Sequence, residues 1–143
     1  MTRQITPALE SEKLIIGALL LDCSLYELIQ DKLCPADFSD EGLKKVYTSM
    51  IEIYKKRKVF DAAMIADDLD IIAETLCQLA NECFSIKNLG AHADIIREKS
   101  VQRQLIEIAE EIDEKTKDKN ISVKDIVDSA EEKAMAIKEK YEL

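Results

Sequence analysis

The residues able to do chemistry in this chain of 143 are few and scattered. His92 is the only histidine, and no nucleophile or carboxylate motif stands beside it, so it suits a surface contact better than a catalytic base. Cys23, Cys34, Cys77 and Cys83 contain no C-x-x-C pair, and with a single histidine they lack the ligands for a zinc site. They read as small core thiols in a reducing cytoplasm. Asp61, Asp67, Asp68 and Asp70 cluster as metal ligands or acid-base groups do, yet have no histidine or serine near them in sequence, and a run of acids on a helix is usually a solvated face. Gly17, Gly42 and Gly90 are too far apart for a phosphate-binding loop or a dinucleotide turn. No cofactor site and no enzyme activity are expected of these residues. Lys55-Lys56-Arg57-Lys58 invites a nucleic-acid contact, but it falls where a helix should end, and cations there complement the exposed carbonyl dipoles.

What remains is scaffold. Three glycines, two prolines and no tryptophan, in a chain rich in Ala, Leu, Ile, Glu and Lys, predict an all-α protein. A net charge of -9 opposes strong direct binding of nucleic acid, whose phosphates demand clustered Lys and Arg. The most apolar stretch, Leu14 to Leu21, has eight uncharged residues, whereas a membrane span needs about 20. It predicts a buried helix, with Thr6-Pro7 as cap and first residue and Glu10 and Glu12 favouring its positive start. Gly17 interrupts the run at a cost of about 1 kcal/mol against alanine, so another backbone should pack there.

Ser24-Leu-Tyr-Glu27 matches a capping box for a short helix carrying Leu25, Leu28, Ile29 and Leu33, and Cys34-Pro35 ends it. Ser39 is placed to cap a helix with Leu43, Val46, Tyr47, Met50, Ile53 and Tyr54 on one side. Asp61 can cap a continuous stripe through Ile65, Leu69, Ile72, Leu76 and Leu79. Phe84 to Gly90 breaks the pattern, which divides the chain into a helical head (1–88) and an antiparallel helical hairpin with the start of a linker (89–143). The arms run from about Ala91 to Lys117 and, after Asp118-Lys119-Asn120 and a Ser122 cap, from Val123 to Tyr141; so short a turn makes them antiparallel. The first arm's apolar side is too wide for one partner helix to cover. Either the head, with the hairpin folded back on it as one bundle, or a second copy of the chain is expected to cover the rest; for the second copy Val127, Ala130, Ala134 and Ile137 are the self-association stripe and a two-fold dimer is the unit.

The order of these segments resembles the N-terminal domain and linker helix of the DnaB-type bacterial replicative helicases. Pro7, Leu9-Glu10-Ser11-Glu12 and Leu14-Ile-Ile-Gly-Ala-Leu-Leu-Leu-Asp22 resemble that family's opening. Leu33-Cys34-Pro35-Ala36-Asp37-Phe38 resembles its leucine-proline-x-Asp-Phe element, and Lys45-Val46-Tyr47-Thr48-Ser49-Met50-Ile51 its next helix. Leu76-Cys-Gln-Leu-Ala80, Asn88, Ala93-Asp94-Ile95-Ile96-Arg97-Glu98 and Arg103-Gln104-Leu105-Ile106 resemble the entry into its hairpin, and Ala130-Glu131-Glu132-Lys133 its second arm. Three positions depart from the pattern. Leu43 stands for a frequent histidine, His92 for a tyrosine, and Asp70-Ile71-Ile72-Ala73-Glu74 for a paired-glycine turn, the last favouring a straighter helix.

The resemblance implies a non-catalytic collar that arranges subunits of a hexameric DNA helicase, with the dimer as building unit, and docks a DnaG-type primase. ATP and magnesium would belong only to a C-terminal domain, and the full-length protein would be an ATP-dependent, cytoplasmic enzyme. His92, Ile121 and Ile126 are the candidate primase contacts. The alternative is a stand-alone helical adaptor that regulates assembly of a helicase or another protein.

Overall fold

A computed structural model describes residues 5–143; residues 1–4 of the expected head lie outside the described residues. Seven α-helices and two short 3-10 helices make up the described chain, with no strand among them, as an all-α composition predicts. The helices are α1 (Leu9–Leu21), α2 (Tyr26–Ile29), α3 (Glu41–Arg57), α4 (Ala62–Leu69), α5 (Ala73–Glu82), α6 (Leu89–Thr116) and α7 (Val123–Lys140). No helix among the described residues is long and apolar enough to cross a membrane. Two compact units divide the described chain, Thr6–Ser100 and Val101–Leu143. The head therefore takes in residues 89–100 of α6 as well, because Leu89, Ala93, Ile96 and Ser100 are buried in it.

In the head, α1 is the central helix and packs chiefly on α5. Ile15, Ile16, Ala18 and Leu19 are fully buried. A Cβ at Gly17 would stand 2.6 Å from the Leu79 carbonyl oxygen, the close backbone approach that the glycine implied. The cap assignments differ from the expectation. Ala8, not Thr6-Pro7, precedes α1 and offers no side-chain cap. Asp22 rather than Ser24 caps the following turn, its Oδ1 accepting from the Ser24 N–H and hydroxyl at 3.0 and 2.6 Å. Asp40 rather than Ser39 caps α3, Oδ2 accepting from the Leu43 N–H at 2.9 Å.

Ser39 is not free to cap because its polar groups go to Glu12. That carboxylate, 1% exposed, accepts from the Ser39 N–H (3.0 Å), the Ser39 hydroxyl (2.6 Å) and the Asp40 N–H (3.1 Å), joining α1 to the entry of α3. Asp37, equally buried, accepts from the Cys34 N–H at 2.9 Å and the Ser100 hydroxyl at 2.8 Å, which pins α6 to the head. Cys34 is extended, at φ -117° and ψ 163°, as the residue before a proline should be. No buried side-chain polar atom among the described residues lacks a partner.

Tyr26, Tyr47 and Tyr54 form an edge-to-face aromatic group, with Phe38 and Phe60 against Tyr47 and Tyr54. Tyr47 donates to the Leu33 carbonyl at 3.1 Å, and burial raises its hydroxyl well above the ordinary tyrosine value. Tyr54 donates to Glu27 Oε1 at 2.6 Å, and that hydrogen bond, with burial second, pushes its hydroxyl up to about 12.

The straight helix expected through Asp70 does not form. α4 stops at Leu69, Asp70 takes left-handed geometry at φ 54° and ψ 49°, and α5 starts afresh at Ala73. Leu69 and Leu79 are half-buried while Ile72 is exposed, so the apparent stripe belongs to two helices packed on each other. Leu28, counted as apolar packing in the short helix, is exposed as well. Asp61 caps α4 as expected, accepting from the Met64 N–H at 2.9 Å.

Candidate interaction surfaces

The second unit is the antiparallel hairpin, residues 101–116 of α6 against α7. Ser122 caps α7, its hydroxyl accepting from the Asp125 N–H at 3.1 Å. Along the seam Ile126, Ile137 and Tyr141 of α7 are buried, with Ile108 and Ile112 of α6 half-buried opposite. Glu111 ties the arms together by pairing with Lys133 across the seam and with Lys115 at 2.8 Å along α6. Lys115 also donates to Ser129, and the Gln104 amide to the Tyr141 hydroxyl at 2.8 Å.

This seam divides the four residues expected to form one self-association stripe. Ile137 is 8% exposed and Ala130 half-buried inside the hairpin, whereas Val127 is 57% exposed and Ala134 is exposed. At 3.6 residues per turn Val123, Val127 and Ala134 fall within roughly 40° of one another, rotated about 60° clockwise from the seam when α7 is viewed from its N-terminus. Leu105 and Ala109, also exposed, sit at a similar clockwise rotation on α6. In an antiparallel pair, equal rotation of the same hand puts both sets on one side of the hairpin. That side is apolar. The opposite side carries Glu110, Glu114, Asp125, Glu132 and Glu139, all exposed.

The primase-contact candidates occupy different settings. Ile126 is buried in the seam and Ile121 is half-buried at the turn. His92 lies on α6 within the head, half-exposed, and its Nδ1 shares a hydrogen bond of 2.9 Å with the Ser11 hydroxyl of α1. Beside it a cleft of about 130 Å³ is lined by Leu14, Leu79, Cys83 and Phe84. Phe84 is 89% exposed in the loop before α6, a surface aromatic that no periodicity marks. Cys23, Cys34 and Cys83 are half-buried free thiols; Cys77 is exposed, so it is not a core residue. The acidic run has local duties, Asp61 and Asp70 at helix ends and Asp68 accepting from Ser49 at 2.7 Å. The described residues contain no group of three side chains that could hold a metal ion.

A family model, the DnaB-like helicase N terminal domain, matches residues 5–98. The chain belongs to this family. It is 27% identical over 137 residues to the replicative DNA helicase DnaC of Bacillus subtilis (strain 168), a match covering 90% of this chain and 30% of that protein. It is 27% identical over 143 residues to the replicative DNA helicase DnaB of Pasteurella multocida (strain Pm70), covering 93% of this chain and again 30% of the relative. The chain thus spans about 30% of the length of these relatives. The crystal structure of the N-terminal domain of DnaB helicase from Mycobacterium tuberculosis shares the fold, with a TM-score of 0.83 at 24% identity over 92% of this chain and 99% of that one.

Proposed function

We propose that this chain is the non-catalytic collar domain of a replicative DNA helicase, the part through which subunits associate and onto which a primase docks. Membership of the family supports the helicase context, as do relatives named as replicative helicases that are about three times longer. The observation that carries subunit association is the apolar side of the hairpin, where Leu105, Val123 and Val127 stand exposed on the same side of both arms. A helix pair of this kind has satisfied its seam and still presents a second apolar face, which a two-fold copy of itself can cover. Unwinding, with ATP and magnesium, belongs to a further domain of the full-length protein, which would work in the cytoplasm on the replication fork.

Primase docking rests on His92, Ile121 and Ile126. Of these His92 is best placed to touch a partner, because it is half-exposed and held in position by Ser11. Two measurements test the function. Sedimentation of the unmodified chain should show a dimer whose fraction grows with concentration, and a monomer at every concentration would leave the adaptor reading ahead. Calorimetric titration with the C-terminal domain of the cognate primase should give saturable heat that His92→Ala reduces; no heat at high micromolar concentration would remove docking from the account.

A further inference from the structure

Phe84 holds its ring in water, 89% exposed, at the edge of the open cleft that Leu14 of α1 and Leu79 and Cys83 at the end of α5 line. All three lining residues are half-buried, so part of the head's apolar packing ends there uncovered. Glu10, Lys13 and Glu82 also border the cleft, and both glutamates are exposed, which leaves their carboxylates in solvent. An apolar cavity of about 150 Å³ holds a benzene molecule, so one of about 130 Å³ is on the scale of a single aromatic ring. The nearest such ring in sequence is Phe84 itself.

The backbone leaves that ring free to turn. Residues 83–88 lie between α5 and α6 and outside both helices. Within them the Lys87 N–H donates to the Ser85 hydroxyl at 3.3 Å and the Cys83 thiol reaches the Ser85 carbonyl at 3.7 Å, both long and weak ties. The segment is anchored at its far end, where Leu89 is buried in the head. A rotation at Phe84 can therefore lay the ring on Leu14 and Leu79 while α1, α5 and α6 stay in place. Closure removes apolar area from water on the ring and on the cleft together.

We propose that Phe84 is a hinged plug, which closes the cleft by folding onto Leu14 and Leu79 and swings out, as in the conformation described, to admit a partner beside His92. His92 borders the same cleft, so plug and partner compete for one place. The geometry of the plug is independent of any partner, whereas its use as a regulator rests on the docking reading above.

The test is the rate at which iodoacetamide alkylates Cys83 in the folded 143-residue chain carrying Cys77→Ser, which removes the exposed thiol, with each site read by peptide mass spectrometry. A cleft closed about nine-tenths of the time shows its thiol one-tenth of the time, so Phe84→Ala should speed alkylation of Cys83 about tenfold. Cys34, which does not line the cleft, should react as before, and Phe84→Leu, which still supplies an apolar plug, should stay near the native rate. An unchanged Cys83 rate in Phe84→Ala overturns the plug, and so does an equal rise at Cys34, which reports a loosened head instead. By calorimetry the Phe84→Ala chain should then bind the C-terminal domain of the cognate primase about tenfold tighter than the native chain, because its site is always open. Equal or weaker binding overturns the competition. The two readings fail separately. Absence of heat from both chains removes docking while a tenfold thiol response keeps the plug, and primase binding with unchanged thiol rates keeps docking and removes the plug.

Discussion

Glu12 does more at the residue scale than its place in a first helical turn announces. Glu12→Ala leaves two backbone N–H groups and a hydroxyl without their acceptor at the α1/α3 junction, and should lower unfolding free energy by about 3 kcal/mol in a urea titration. Gly17→Ala improves helix propensity by about 1 kcal/mol, yet its Cβ would meet the Leu79 carbonyl and Cys83 Cβ at 2.6 and 3.0 Å. The clash is with backbone and should win, for a net loss of about 1 to 2 kcal/mol in the same titration. Tyr54 supplies a pH signature. Its hydroxyl titrates near 12 in the fold and near the ordinary value of about 10 when unfolded, so the contribution is complete below pH 10 and is lost as pH rises through 12. Thermal melts should therefore show a steeper alkaline fall for the native chain than for Tyr54→Phe. Gly17 was legible because glycine amid leucines has few uses. The Glu12 network was not, since its donors lie 27 and 28 residues away and no local pattern announces them.

At the scale of elements, the break at Asp70 shows where periodicity misleads. Ile65, Leu69, Ile72, Leu76 and Leu79 are spaced as one helix would space them, but two helices meeting at a tight corner preserve that spacing by accident. Aspartate enters left-handed geometry more easily than most side chains, and it serves here where a glycine would. Asp70→Gly removes a backbone cost that is small for aspartate and adds about 0.5 to 1 kcal/mol of unfolded-chain entropy, so stability by urea titration should stay within about 0.5 kcal/mol of the native chain. Asp70→Val should destabilise instead. The hairpin, by contrast, was readable from its turn and the Ser122 cap, because both act within a few residues. In the head Asp22 and Asp40, two residues and one residue away from Ser24 and Ser39, are equally good acceptors and take the capping positions in place of those serines.

For the molecule as a whole, family and fold class came through from order and composition, while the sequence left open which apolar residues of α7 the hairpin itself buries. Val127, Ala130, Ala134 and Ile137 share one stripe on a helical wheel, and nothing in the wheel tells which edge of that stripe the neighbouring arm covers. The seam contacts decide it, turning Ile137 inward and leaving Val127 and Ala134 outward. Aspartate at the two ends of the stripe should therefore do different things. Ile137→Asp buries a charge in the hairpin's own packing and should lower the thermal midpoint along with helicity. Val127→Asp changes a residue that is exposed in the single chain, so it should keep the helicity and lower the midpoint only by the concentration-dependent contribution of the dimer it removes.

The central claim, that the apolar side of the hairpin joins two copies, is tested most directly by sedimentation equilibrium of the unmodified chain beside Val127→Asp, at matched concentrations and at about 500 mM salt to suppress charge-driven contacts. The account predicts a reversible dimer for the unmodified chain and a monomer of unchanged helicity for the variant. Equal association constants for the two, whether both dimeric or both monomeric at high micromolar concentration, would contradict it.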